Sequence, residues 1–502
     1  MSDTEASSSG SMTSRVLRGA GWAGFSQVAV QVTRMLVAIV VARLISPSDY
    51  GLAALAMVYA AFGLVFSDLA LSAALIQRKH LTEDDRSTAF WVTTASGVVL
   101  MVVGFALSGV VSGLYGEPEL QPLFAVLSVS FLLSALGSTQ QALMMRDMQF
   151  RVVETRTIIG SLAGAPVAVA LAVAGAGPLA IICQQIAVAG ITSALLWRAS
   201  SWRPSWRFSR ASLRSLWSFS GFLVLHRLCY YTQQNADNLI IGRAVGAAAV
   251  GAYAIAYNVM LAPASRIGGT LQRVLAPAFS RMQDEPERIA EAWARVTRMI
   301  GAVCVPMLAG VIVVAPDFIH VTLGSKWSAA APILQILAWV GILQALQSIN
   351  VDILMARGRT SVVFRFTLVF TCSHLAAFLI GVHWGVLGVA TAYAISSTIV
   401  EPALTVITAR AISVSPMVFV RAVGGVFQAA VGMVAVLVIV RPQLVDAGVP
   451  ATLRLLILVA IGAAVYIPLC AWRAPEVVRE IRGLLPGRRA REMVRVPQAA
   501  QG

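Results

Sequence analysis

The sequence predicts an all-α integral membrane protein of about fourteen transmembrane helices. Three observations predict it. Of 502 residues, 58% are hydrophobic and only 12% charged, where an ordinary globular domain carries about 25% charged residues. Mean hydropathy is +0.78. The apolar residues fall into long runs of the roughly 20 residues needed to cross about 30 Å of hydrocarbon.

Taken in order, those runs lie at 20–44, 52–76, 88–113, 120–145, 156–176, 178–198, 216–242, 250–274, 294–318, 331–355, 363–382, 385–409, 420–440 and 452–472. Each is bounded by charge, glycine, proline or a turn signal. The tightest turns are Gly175-Ala176-Gly177-Pro178 and His383-Trp384-Gly385. Residues 1–14, polar and serine-rich, predict a disordered tail and no cleavable secretory signal.

Charge placement orients the spans. With the N-terminus in the cytoplasm, most of the 38 lysines and arginines fall in cytoplasmic connections or the C-terminal tail. Only Arg43, Arg243, Lys326, Arg441 and Arg454 fall on the opposite side. This bias explains the net charge of +15 without nucleic acid. Segment 199–215 interleaves Arg203, Arg207, Arg210 and Arg214 with Trp202, Trp206 and Phe208, followed by Trp217, and predicts an interfacial linker. Asp284-Glu285-Pro286-Glu287 predicts a helix start whose Ile289, Trp293 and Val296 anchor at the interface.

The chain echoes itself. Gly21 matches Gly221, and Ala42-Arg43 through Tyr50-Gly51 lines up with Gly242-Arg243 through Val250-Gly251. A second echo pairs Pro122 with Pro332, Leu136 with Leu346, Ser138 with Ser348 and Met145 with Met355. Six spans per unit is an even number, so the two repeats enter the membrane the same way, with a central cavity expected between them. The predicted organisation is a tail (1–14), a six-helix lobe (15–198), the linker (199–215), a second six-helix lobe (216–410), two additional helices (411–472) and a basic cytoplasmic tail (473–502).

Polar groups inside the spans mark the candidate site. Arg34 shares a stripe with Gln27 and Gln31 at i, i+4, i+7. It lies about 12 residues, roughly 18 Å, from either end of its span, beyond the reach of a snorkelling side chain. Its repeat mate, span seven, carries Arg227, Tyr231, Gln234 and Asn238 on one stripe, with His226, Tyr230, Gln233 and Asp237 beside it. So broad a polar face must line protein or water. Arg227 lies nearer its span's end, where snorkelling is the competing account. Arg266, after Pro263, and Arg273 are further cations that could instead meet inner-leaflet phosphates. Arg34, Arg227 and Arg266 are the expected anion ligands. Gln27, Gln31, Tyr231, Gln234 and Asn238 are the expected cavity lining.

The acids Asp68, Asp237 and Glu401 are candidates for coupling to Na⁺ or H⁺, against a structural role in pairing with arginine or capping broken helices. Asp352, beside Arg357 and Arg359, is the weakest such candidate. Ser134, Ser138 and Gln141 suit sugar hydroxyls and helix–helix hydrogen bonds equally. The five cysteines and five histidines have neither disulfide nor metal-ligand spacing. No cofactor is expected, and no enzyme constellation is present in the sequence.

Three stretches carry a family resemblance: Leu44-Ile45-Ser46-Pro47-Ser48-Asp49-Tyr50-Gly51-Leu52; then Phe66-Ser67-Asp68-Leu69-Ala70 through Gln77-Arg78, followed by Phe90-Trp91; and Asn235-Ala236-Asp237-Asn238-Leu239-Ile240-Ile241-Gly242-Arg243. Across most of 15–410 the chain resembles the polysaccharide transporter family of lipid-linked oligosaccharide flippases. This family belongs to the multidrug/oligosaccharidyl-lipid/polysaccharide exporter superfamily, and the nearest branch is that of colanic-acid and teichuronic-acid exporters. Ala70 stands where the pattern usually has glycine. The resemblance implies two six-helix lobes, alternating access, an undecaprenyl-diphosphate-linked sugar cargo met by the cavity arginines, and an inner-membrane location. Membrane lipids, a polymerase and glycosyltransferases are the implied partners. Guanidinium groups suit bidentate recognition of a diphosphate. The rival readings are a cation-coupled multidrug exporter, expected to have an acid-dominated cavity, and a polytopic polymerase or ligase, expected to need a sizeable outer loop. A scaffold would leave the buried arginines unexplained.

Overall fold

The computed structural model describes residues 33, 35–67, 71–78, 80–262, 282 and 285–484. In chain order the helices are α1 (Met35–Leu44), α2 (Pro47–Ser67), α3 (Leu71–Gln77), α4 (Glu83–Tyr115), α5 (Leu120–Arg146), α6 (Phe150–Val173), α7 (Leu179–Ala199), α8 (Arg210–Ala244) and α9 (Ala247–Ala262). There follow α10 (Pro286–Thr322), α11 (Ala330–Gln347), α12 (Asn350–Ala356), α13 (Thr360–Gly381), α14 (Gly385–Ala411), α15 (Met417–Asp446), α16 (Ala451–Arg473) and α17 (Pro475–Leu484). Every predicted span overlaps one of these helices or a consecutive pair. Both tight turns fall where the sequence puts them. Gly175 and Gly177, at φ 77° and 54°, turn the chain between α6 and α7 in a region open to glycine at no steric cost. A short 3₁₀ turn, Val382–Trp384, separates α13 from α14.

The chain divides into two compact units, Met1–Ala254 with Val382–Val386, and Ile255–Gly381 with Leu387–Gly502. In the first, α4 and α5 form a long hairpin, α5 packs on α7, and α6 pairs with α7. In a bilayer, lipid competes with protein for apolar surface, so close approach and polar pins fix the packing. An ideal Cβ built on Gly97 would lie 2.6 Å from the Ala135 Cβ, and Tyr59 meets Phe124 and Phe131 edge-on. The other face of α4, including Val99, Val102, Phe105 and Val110, stays exposed as a lipid-facing surface.

At the start of α4 the sequence Thr82-Glu83-Asp84-Asp85 closes a capping box. The Asp85 amide donates to Thr82 Oγ1 at 3.2 Å and the Thr82 amide donates to Asp85 Oδ2 at 3.0 Å. Arg78 adds an ion pair to Asp85 at 2.8 Å. Arg146 donates to the Leu75 carbonyl at 3.0 Å and to the Arg78 carbonyl, capping the end of α3.

Segment 200–209 is laid along the beginning of α4. Trp91 Nε1 donates to the Ser205 carbonyl at 2.8 Å, Trp202 Nε1 donates to Glu83, and Trp91 stacks on Trp206 at 4.5 Å. Trp206 remains 90% exposed, as an interfacial aromatic does. From there α8 runs back against α2, α3 and α4. The helix that opens the second repeat in sequence therefore packs with the first unit.

Next to it, α2 and α9 approach each other closely. On Gly51 of α2 a Cβ would lie 1.7 Å from the Ala247 carbonyl oxygen; on Gly251 of α9 it would lie 2.1 Å from the Pro47 carbonyl oxygen. The two glycines matched by the repeat meet each other, and each is what lets the other's backbone approach.

The second unit is built on α10, with α11, α15 and α16 around it, and a core of Leu308, Ala338, Val426, Met433 and Leu458. A second cluster gathers Ile289, Trp293, Ile300, Ile353 and Ile412. This corrects one expectation: Ile289 and Trp293 are fully buried, because α10 runs unbroken from Pro286 into the span, so they are core residues and not interfacial anchors. Tyr466 of α16 donates to the Ala302 carbonyl at 2.9 Å. Asp317, 2% exposed, accepts from Arg441 Nε and Arg454 Nε, each at 2.7 Å, and ties α15 and α16 to α10. Within the predicted basic tail, α17 docks through Glu480, 2.9 Å from Arg298 and 3.6 Å from Arg295.

Candidate functional site

Polar side chains on one face of α8 build the described part of the site. The helix begins at an N-cap, Ser209, whose hydroxyl accepts from the Ser212 amide at 3.2 Å. Along its later half, Tyr231 donates its hydroxyl to the Val58 carbonyl of α2 at 3.1 Å and packs edge-on to Phe62 at 5.4 Å. Asn235 Nδ2 donates back to the Tyr231 carbonyl at 2.9 Å. Gln234, half-buried on this face, is likewise engaged. Gly242 closes the row, its Cα facing Leu55 and Tyr115.

Asp237 lies deeper, 3% exposed. Its Oδ1 accepts the Asn238 amide at 2.7 Å. Arg34 and the side chain of Arg227, arginines with which Asp237 could pair, lie outside the described residues. Asn238 is half-buried, and among the described residues its Oδ1 has no hydrogen-bond donor. A buried acceptor in this state is a place for an incoming hydroxyl or amide.

The structure therefore brings Tyr231, Gln234, Asp237 and Asn238 together on one helix. Arg34, Arg266, Gln27, Gln31 and Asp68 lie outside the described residues, as does the side chain of Arg227. Glu401 is on α14 in the second unit, 3% exposed. Of the polar residues of span four, Ser138 donates to the Ala135 carbonyl, while Gln141 accepts from Arg156 at 2.5 Å. Both are spent on helix contacts. The cysteines Cys183, Cys304, Cys372 and Cys470 are unpaired, and among the described residues no three His, Cys, Asp or Glu side chains gather as metal ligands.

A second polar region, in the second unit, was not read from the sequence. His374 Nε2 lies 3.1 Å from Ser397 Oγ, Ser373 bonds Ser396 at 2.8 Å, and Gln344 donates to the Tyr393 hydroxyl at 2.7 Å. Farther along α14, Gln347 Nε2 donates to Thr405 Oγ1 at 2.8 Å, and Trp293 Nε1 donates to Asn350 Oδ1 at 2.7 Å. The available signal was the i, i+4, i+8 spacing of Ser397, Glu401 and Thr405.

Comparison with known proteins bears on what such a molecule does. A family model described as "polysaccharide biosynthesis protein" matches residues 40–332. The teichuronic acid biosynthesis protein TuaB of Bacillus subtilis (strain 168) is 30% identical over 396 residues, covering 78% of this chain and 81% of that protein. The lipopolysaccharide biosynthesis protein WzxC of Escherichia coli (strain K12) is 28% identical over 378 residues, 74% of this chain and 76% of that one. Among solved structures, the lipid II flippase MurJ in an inward closed conformation superposes with a TM-score of 0.71 at 14% identity, covering 90% of this chain and 99% of MurJ. The likeness to MurJ is one of fold, that of a helical membrane transporter.

Proposed function

The chain belongs to the polysaccharide biosynthesis protein family, and from that premise we propose that it is a flippase. Its cargo would be a lipid-linked oligosaccharide, an undecaprenyl-diphosphate-linked repeat unit moved from the inner to the outer leaflet by alternating access. One observation carries the reading. A family member with a transporter fold places a row of hydrogen-bonding side chains, Tyr231 to Asn238, inside a membrane-crossing helix, where lipid alone would not tolerate them. The unpartnered Asn238 Oδ1 suits a sugar hydroxyl.

In this reading Arg34, Arg227 and Arg266 hold the diphosphate, as guanidinium groups do by bidentate hydrogen bonds. Gln27, Gln31, Tyr231, Gln234 and Asn238 contact the cargo's polar portion. Asp68, Asp237 and Glu401 are the acids available for ion coupling. The repeat defines functional lobes at 15–198 and 216–410. The lysine and arginine bias supports an inner-membrane protein with both termini in the cytoplasm. A polymerase and glycosyltransferases are the machinery such a flippase would serve.

The test is replacement of Arg34 by alanine, followed by surface polysaccharide output and membrane insertion. Loss of surface polymer from a folded, inserted protein is the expected result. Normal export by that variant would remove Arg34 from the site.

A further inference from the structure

We propose that Glu401 is a proton-carrying carboxyl, served by a polar ladder that runs along α14 through the second unit. The ladder begins at His374 on α13, which is 4% exposed. Its Nδ1 lies 2.7 Å from the Phe370 carbonyl. A carbonyl only accepts, so Nδ1 carries the hydrogen, and in the neutral ring Nε2 accepts from the Ser397 hydroxyl. One turn along α14 from Ser397 is Glu401, and one turn beyond that is Thr405. Thr405 exchanges hydrogen bonds with Gln347, Gln347 Oε1 accepts from Asn350 Nδ2, and Asn350 Oδ1 accepts from Trp293 Nε1.

Every other rung is satisfied. Glu401 is not: among the described residues its carboxyl has neither a hydrogen bond nor an ion pair, and it is 3% exposed. It lies roughly 24 Å from the Gly385 end of α14 and roughly 15 Å from the Ala411 end. Ionisable groups on the elements bonded to α14 are few. The α11 helix has none, α13 offers His374 and Cys372 with Arg365 near its start, and α12 offers Asp352, which is engaged elsewhere. The others on α14 itself are Tyr393 and, nine residues on from Glu401, Arg410. An ionised carboxylate without a partner is among the least favourable groups to bury. A carboxyl kept there, one helical turn from Ser397, whose hydroxyl meets the His374 imidazole, and one turn from Thr405, has the chemistry of a site loaded from one side and discharged to the other. Loading forms one O–H bond on the carboxyl with a proton from water. Discharge breaks it and returns the proton to water.

Coupling of this cycle to export rests on the flippase reading, but proton binding does not. The first experiment therefore uses no cargo. Full-length protein in lipid nanodiscs is taken from acidic to alkaline pH while infrared difference spectra follow the protonated-carboxyl C=O band. The expected result is a band that disappears with rising pH, is missing in Glu401→Gln, and is unmoved by Na⁺ at constant pH. Thr405→Val, which keeps the acid but breaks the ladder, should retain the band and slow its exchange. A band that survives in Glu401→Gln, or one displaced by Na⁺, overturns the proposal, the latter in favour of a sodium site. In proteoliposomes, cargo movement should follow an imposed proton gradient in the wild type and ignore it in Glu401→Gln. An unchanged gradient response in that variant also overturns it. If the band behaves as expected but neither protein moves a lipid-linked oligosaccharide, the flippase reading fails and the proton site stands.

Discussion

Replacing Gly51 with alanine puts one methyl group against backbone that has no rotamer to change. The added carbon would sit 1.7 Å from the Ala247 oxygen, 2.6 Å from the Ala247 carbonyl carbon and 2.9 Å from the Gly251 nitrogen. Ordinary carbon–oxygen contact is about 3.4 Å, so α2 and α9 must part by well over 1 Å at the crossing. Overpacking on this scale costs about 1–3 kcal/mol. Gly251→Ala meets the Pro47 oxygen at 2.1 Å and should cost a similar amount. Because one separation relieves both clashes, the double variant should lose about as much as either single one, where independent sites would add. Gly424→Ala on α15 is the control: a Cβ there meets nothing within 4 Å, and alanine in a helix is favoured by up to about 1 kcal/mol over glycine. Thermal unfolding in nanodiscs compares all four variants with the wild type. Losses that simply sum in the double variant, or a Gly51→Ala protein as stable as the wild type, would refute the crossing as described.

Three further outcomes follow from charge placement. Burial alone would raise the Asp85 carboxyl, but hydrogen bonds from the Thr82 backbone and from the Ser212 and Thr82 side chains, with the Arg78 charge, hold it below the ordinary carboxylate value. A depressed value means stability that is present above about pH 4 and is lost as pH falls through the folded value. The wild type should therefore exceed Asp85→Asn by about 1–2 kcal/mol from neutral to mildly acidic pH, with the gap closing below about pH 4 in thermal melts. Asp317→Asn should cost about 3–5 kcal/mol, since it leaves Arg441 and Arg454 without a counter-charge. Replacing all three with apolar residues of similar volume should restore most of that loss in the same assay. Burial pushes the Glu480 carboxyl up despite Arg298 and Arg295, and Glu480→Ala should free α17 from α10, read as faster amide exchange over Pro475–Leu484.

The spans and their turns were legible because each is a local signal: an apolar run of membrane length, a capping box at Thr82–Asp85, a glycine pair before Pro178. The echoes between the two halves are visible in the sequence, and one matched pair, Gly51 and Gly251, meets in the structure. What a one-dimensional reading could not supply were the partners. Ser397 and Thr405 are visibly a helical stripe, but His374 and Gln347 reach them across 23 and 58 residues. Nor does hydropathy tell Trp293 at an interface from Trp293 in a core, since both are apolar positions at the start of a helix. The packing of α8 with α2 to α4 was hidden for the same reason. Sequence order places it in the second repeat, whereas close contacts such as Tyr231 with Val58 decide where it sits.

The shared carboxylate of Asp317 also has a meaning for how the chain is made. Synthesis runs from the N-terminus, so the acid emerges well over a hundred residues before either arginine that neutralises it. Until α15 and α16 arrive, Asp317 is an unmatched charge at the end of a membrane helix. When they do arrive, each brings a cation to an acceptor already in place. The charge of Asp317 is therefore matched only once the last hairpin has been made. A chain ended before Arg441 would not be a shorter version of the same protein. It would keep a buried acid without the two arginines that pair with it here.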